Sequence, residues 1–160
     1  MADLLTHVLT AYILATVCSW RYEWLTPPFV TVAIVGAMIP DLNRLDLVVS
    51  AELITAVTGL PFDWDAFHTL GGSLLAVLIG SLLVPPPYRR RVGALLLLGA
   101  ASHHALDLLL LNASGYSYAV FWPVTGFNPP SPNLYLSTDR WPAICAAGFA
   151  TIVWYVRYKR

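Results

Sequence analysis

The sequence predicts an all-α integral membrane protein with about five transmembrane helices and one interfacial or re-entrant helix. Three observations carry that prediction. Hydrophobic residues make up 58% of the 160 and charged residues only 11%, where soluble domains carry about 25% charged residues. The mean hydropathy is +0.66, so a single domain of this size, residues 1–160, turns most of its surface toward lipid. The apolar residues also fall in five runs separated by proline, aromatic and charged punctuation.

The first run, residues 4–20, is interrupted only by threonines and His7. Met1-Ala2-Asp3 lacks the basic start of a secretory signal, so this run is read as a retained span. Arg21-Tyr22-Glu23-Trp24 then forms an interface anchor. The second span, about 25–40, opens around Pro27-Pro28 and ends in Pro40-Asp41; it is short for a crossing. Residues 47–60 are moderately apolar, contain Glu52 and are too short to cross. They predict the interfacial or re-entrant helix, capped by Ser50 and ended by Gly59 and Pro61. The third span, 67–84, follows Asp63-Trp64-Asp65 and closes in Pro85-Pro86-Pro87 and three arginines. The fourth, 92–112, carries Ser102-His103-His104-Ala105-Leu106-Asp107. Residues 113–140 have no helical period and are rich in proline, glycine and aromatics, which predicts a long outer loop. The last span, 141–156, ends in a basic tail. Cys18 and Cys145 sit in separate apolar runs without CxxC spacing and read as packing residues.

Basic residues near span ends mark the cytoplasmic side. With Arg89, Arg90 and Arg91 inside, five spans also place Arg21, Arg157, Lys159 and Arg160 inside, seven of the nine basic residues. The same parity puts His7, Asp41, Asp63, Asp65, His68, His103, His104 and Asp107 toward the outer, non-cytoplasmic face of the cell membrane. Net charge is zero and no basic run with interleaved aromatics occurs, so no nucleic-acid partner is expected. The expected partner is the lipid bilayer.

An aspartate at membrane depth costs roughly 2.5 kcal/mol or more, so the cluster in the fourth span needs a reason. His103 and Asp107 are four residues apart and share a helix face. Imidazole and carboxylate together are the usual ligands of a hydrolytic divalent ion such as zinc, whose bound water ionises near neutral pH. Two other readings stay open on the residues alone. His/Asp pairs also make structural bonds between helices in non-catalytic membrane proteins. They also build transporters and proton relays, although ionisable groups are missing from the cytoplasmic half.

The ordered set resembles a family, the predicted membrane-bound metal-dependent hydrolases of the YdjM type. Its pattern is an N-terminal histidine, a Pro-Asp-x-Asp-His element, His-Arg-Gly-x-Thr-His-Ser, Ser-His-x-x-x-Asp and a later Trp-Pro. Here His7 stands in the first span, and Pro40-Asp41-Leu42-Asn43-Arg44 takes the second place. His68-Thr69-Leu70 matches the end of the third element, Ser102 to Asp107 the fourth and Trp122-Pro123 the last. The resemblance implies His7, Asp41, His68, His103 and Asp107 as metal ligands and favours His103 over His104, which is also within reach of Asp107. Asn43, Arg44 and Asp63 depart from the pattern, as do Trp64-Asp65 in place of Arg-Gly. Asp63 or Asp65 is then expected as an extra ligand or as the general base. Ser102, Thr69 and Asn43 are expected to support the ligands. The function these expectations add up to is metal-dependent hydrolysis of an ester or phosphoester, from a lipid or other membrane-held substrate.

Overall fold

The computed structural model describes residues 3–159, and every element in it is helical. The six α-helices are α1 (Leu4–Ser19), α2 (Pro27–Met38), α3 (Ala51–Thr58), α4 (Leu70–Leu82), α5 (Arg89–Asp107) and α6 (Trp141–Lys159). Short 3-10 segments cover Pro40–Leu47, Trp64–His68 and Pro86–Tyr88.

Local chemistry explains most of the element ends. Pro27 and Pro28 occupy the first turn of α2, where a missing N–H costs nothing. Pro40 cannot continue the helix. The chain turns 58° there into Pro40–Leu47, so the second apolar run is a bent pair and not a straight rod. The interfacial helix expected over 47–60 is accordingly shorter. Ser50 Oγ accepts the Leu53 N–H at 3.2 Å at its start, and Gly59, at φ +70°, ends it in the left-handed region. Thr69 caps α4, which begins only after Trp64–His68. The three arginines form the first turn of α5, and α5 stops at Asp107, so residues 108–111 leave the helix.

Between α5 and α6 the chain is irregular, with two isolated bridges, Leu110 to Tyr135 and Tyr116 to Pro130. This segment folds back onto the helices. The carbonyls of Val120 and Trp122 accept the N–H groups of Leu70 and Gly71 at 2.7 and 3.0 Å, satisfying donors that the start of α4 leaves open.

The core is built from small residues. Ala11, Ala15, Ala33, Ala37 and Ala100 are buried, and α2 crosses α5 at Gly36 and Gly99. A Cβ on Gly36 would lie 2.3 Å from the Leu96 carbonyl oxygen, and one on Gly99 would lie 2.1 Å from that of Ala33. Only glycine permits this approach. The outside carries many large apolar side chains: Leu75, Leu83, Ile144 and Phe149 are exposed by 57%, 82%, 69% and 63%. No single described helix is long and apolar enough to cross a membrane unaided; the bent pair Pro27–Met38 and Pro40–Leu47 meets the criterion by length and composition.

Candidate metal centre

The centre forms where α5 ends. His103 and Asp107 project from one face of its last turns and are buried. His7 comes from the first turn of α1 and is fully buried. Its ring stacks on that of His103, with centroids 3.7 Å apart and planes 10° from parallel. The bend after α2 delivers Asp41, and the 3-10 segment before α4 delivers His68 at its last position. All five residues expected as ligands thus meet in one place. His7 Nε2 lies 3.4 Å from Asp107 Oδ1. His68 Nε2 and His103 Nε2 lie 3.0 and 3.4 Å from Asp107 Oδ2. Two overlapping triads, His7/His103/Asp107 and Asp41/His68/His103, each hold their donor atoms within 4.8 Å of one another.

The hydrogen bonds on the far side of the rings fix what the near side offers. His103 Nδ1 donates to the Ala37 carbonyl at 2.8 Å, and His68 Nδ1 donates to that of Pro40 at 3.2 Å. A carbonyl only accepts, so each Nδ1 carries the proton and each neutral ring keeps a lone pair on Nε2. These lone pairs face Asp107 oxygens at 3.0–3.4 Å, an arrangement that repels unless a positive charge lies between them. A divalent ion about 2.0–2.1 Å from each donor sets neighbouring donors roughly 3.0–3.4 Å apart, which is the observed spacing. Both nitrogens of His7, Nε2 of His103 and both oxygens of Asp41 are buried without a hydrogen-bond partner. Such a group costs about 1–3 kcal/mol unless something satisfies it. Arg44 Nε stands 3.3 Å from Asp41 Oδ1, but its side chain is half exposed and reaches only one of the two oxygens. The donor set therefore fits a cation.

His104 is different. Its Nε2 bonds Ser73 Oγ at 2.9 Å and its Nδ1 bonds the Tyr118 hydroxyl at 2.7 Å. Both nitrogens are engaged by hydroxyls, so the reach toward Asp107 that its spacing suggests is not used. This histidine thus ties α5 to α4 through Ser73 and to the irregular segment through Tyr118.

Asp63 and Asp65 lie outside the buried cluster. Both are exposed and line a cavity of about 490 Å³ together with Asn43, His68, Thr69, Tyr118 and Trp122. His68 is the residue shared by the cavity and the cluster. Asp65 Oδ1 accepts from Asn43 Nδ2 at 3.1 Å, and Asp63 Oδ1 accepts the Asp65 N–H at 2.8 Å.

Of the three expected supporting groups, Asn43 bonds Asp65, while the other two bond backbone of their own or the preceding segment. Ser102 Oγ donates to the Gly99 carbonyl of its own helix, and Thr69 Oγ1 donates to that of Ala66. The carbonyls of Ala37 and Pro40 orient the histidines in their place. Tyr118 and Tyr135, which the sequence does not single out, close the centre from the irregular segment. The Tyr118 ring lies 4.8 Å from that of His68, and Tyr135 donates to the Leu106 carbonyl at 2.8 Å. Burial, with the nearby Asp107 charge second, raises the Tyr118 phenol well above its usual range and pushes that of Tyr135 up to about 12. An aromatic segment between apolar runs is the only signal in the sequence for these two, because a buried phenol needs a partner that the fold must supply.

Fold and site together define an all-helical protein with an apolar exterior and a buried His/Asp cluster compatible with a metal ion. The chain belongs to the YdjM inner membrane protein family, whose family model matches residues 1–159. No curated protein and no solved structure matches it. Membership of an inner membrane family accounts for the exposed apolar surface.

Proposed function

We propose that this chain is a multi-pass, membrane-bound, metal-dependent hydrolase acting on an ester or phosphoester in or near the bilayer. The observation that carries the proposal is the pair of Nε2 atoms of His68 and His103 aimed at Asp107, beside His7 Nδ1 and Asp41 Oδ2, which no hydrogen bond satisfies. These five residues would hold one divalent ion, zinc being the best fit to the donors. In this reading α1, α2, α4, α5 and α6 cross the bilayer, the basic ends face the cytoplasm and the centre opens to the opposite side.

A bound ion supplies Lewis acidity and makes water a nucleophile near neutral pH. The chain's own residues divide the remaining work. The Ala37 and Pro40 carbonyls hold the two imidazoles in their ligand tautomer. Asp65 or Asp63, exposed on the cavity wall, takes the proton from water, with Asn43 fixing the Asp65 carboxylate. Tyr118 and Trp122 give the cavity an aromatic side suited to the apolar part of an amphiphilic substrate.

Metal analysis of the purified protein tests the reading. Wild type is expected to carry about one zinc per chain, while His103→Ala and Asp107→Ala retain helicity but lose the metal. A metal-free wild type whose thermal stability is indifferent to added zinc and to chelators would refute it.

A further inference from the structure

A further pair of cavities lies toward the other end of α2. The buried stripe of α6, Ala143, Ala146, Ala150 and Val153, recurs at intervals of three and four, and α6 packs chiefly on α1. A groove is left between α2 and α6, with α1 as its floor. It consists of two cavities of about 470 and 430 Å³ that share Tyr12, Ile34 and Trp154 and are therefore continuous.

The two ends of this groove have opposite chemistry. Arg157, Tyr158 and Thr31 line one end, and Leu9 and Ala147 line the other. Trp154 and Tyr158 stack with centroids 5.7 Å apart and form one wall. Arg157 is half-buried, yet among the described residues no carboxylate pairs with it. From Arg157 to Ala147 is ten residues of helix, about 15 Å, which is the depth of one leaflet of a roughly 30 Å hydrocarbon core.

We infer that this groove binds an anionic phospholipid, with its phosphate on Arg157 and one acyl chain lying along Tyr12, Ile34 and Ala147. Basic pockets between helices at the charged end of a membrane protein hold such headgroups. An unpaired guanidinium above a leaflet-deep apolar groove matches a phosphate joined to a chain better than it matches a free anion or a second helix. The inference rests on the membrane reading of this chain and is independent of the metal and of hydrolysis.

The test uses the full chain, purified in detergent and delipidated, with phosphatidylglycerol or phosphatidylcholine of the same acyl composition added back. Native mass spectrometry and thermal unfolding are the readouts. Wild type is expected to retain one phosphatidylglycerol and to prefer it over phosphatidylcholine by about fivefold or more, the usual effect of one basic residue near a lipid phosphate. Arg157→Gln brings the preference to about unity. Lys159→Gln leaves it unchanged, because Lys159 Nζ lies over the Tyr155 ring, 5.8 Å from its centroid, and does not line the groove. Ala147→Trp abolishes retention by filling the apolar end with Arg157 intact, and decides the matter alone should the arginine variant not fold. Equal retention of both lipids by wild type overturns the inference, as does equal loss in the Arg157 and Lys159 variants. Displacement by inorganic phosphate as readily as by lipid would show a bare anion site, and a dimer mass without lipid would show a second copy; either overturns it.

Discussion

Gly99→Ala connects the packing of two helices to the chemistry of the centre. The added Cβ would lie 2.1 Å from the Ala33 carbonyl oxygen and 2.5 Å from the Ala37 nitrogen. Unbonded carbon and oxygen tolerate little below about 3.2 Å, so α2 and α5 must part by roughly 1 Å at this crossing. Backbone lies on both sides, and no side chain can swing away to relieve the clash. The Ala37 carbonyl is also the acceptor that holds His103 at 2.8 Å. A separation of that size stretches the bond to roughly 3.8 Å, beyond hydrogen-bond range. Overpacking of this kind costs about 1–3 kcal/mol, and loss of an orienting group weakens metal binding by about 10- to 100-fold. The assay is thermal unfolding together with competitive zinc titration against a chromophoric chelator. Gly80→Ala is the comparison: its Cβ meets only the Leu96 Cδ1 atom, at 3.0 Å, which can rotate away. Wild-type zinc affinity in a folded Gly99→Ala protein would sink the argument that the α2–α5 crossing sets the ligand geometry.

Three further outcomes follow from the same structure. Ser73→Ala leaves His104 Nε2 buried without its partner and is expected to cost about 1–3 kcal/mol in chemical denaturation, with zinc content unchanged; a fall in zinc would make His104 part of the centre after all. Asp65→Asn is expected to keep the metal and lower the hydrolysis rate of a chromogenic phosphoester by about 10²- to 10⁴-fold, whereas loss of metal would mark Asp65 as a ligand. The third outcome concerns alkaline pH. The folded state holds the Tyr135 proton up to about pH 12, while the unfolded chain releases it near 10. Stability is therefore full below about pH 10 and declines as pH rises toward 12. Tyr118, shifted in the same direction, extends the decline. Unfolding midpoints between pH 9 and 12 (from about one unit below to two units above the phenol's ordinary value) check this, and Tyr135→Phe should flatten part of the fall.

Much of this protein is written locally. Apolar runs bounded by prolines, arginines and aromatics mark the helices, because an α-helix makes its backbone bonds within its own segment and needs only a matching surface. Ser50 and Gly59 mark the ends of α3 through bonds made within a few residues. His103 and Asp107 share a face by periodicity alone. The resemblance to the YdjM type drew His7, Asp41 and His68 into the same set, and the fold brings them together.

Other features depend on residues far apart in the chain, and only the tertiary structure decides them. Spacing from Asp107 leaves His103 and His104 nearly equivalent. The structure separates them because Ser73, thirty-one residues away, and Tyr118 take both nitrogens of His104, while the Ala37 carbonyl takes one of His103. The 58° turn at Pro40 is legible as a helix end, but its direction, which carries Asp41 toward His68, is not. Nor does any local pattern show that Val120 and Trp122 cap α4, or that α6 leaves a groove beside α2. Helices and their caps are set by neighbours within a turn or two. The centre is set by which backbones can approach closely enough to meet, and that is a property of the whole packed bundle.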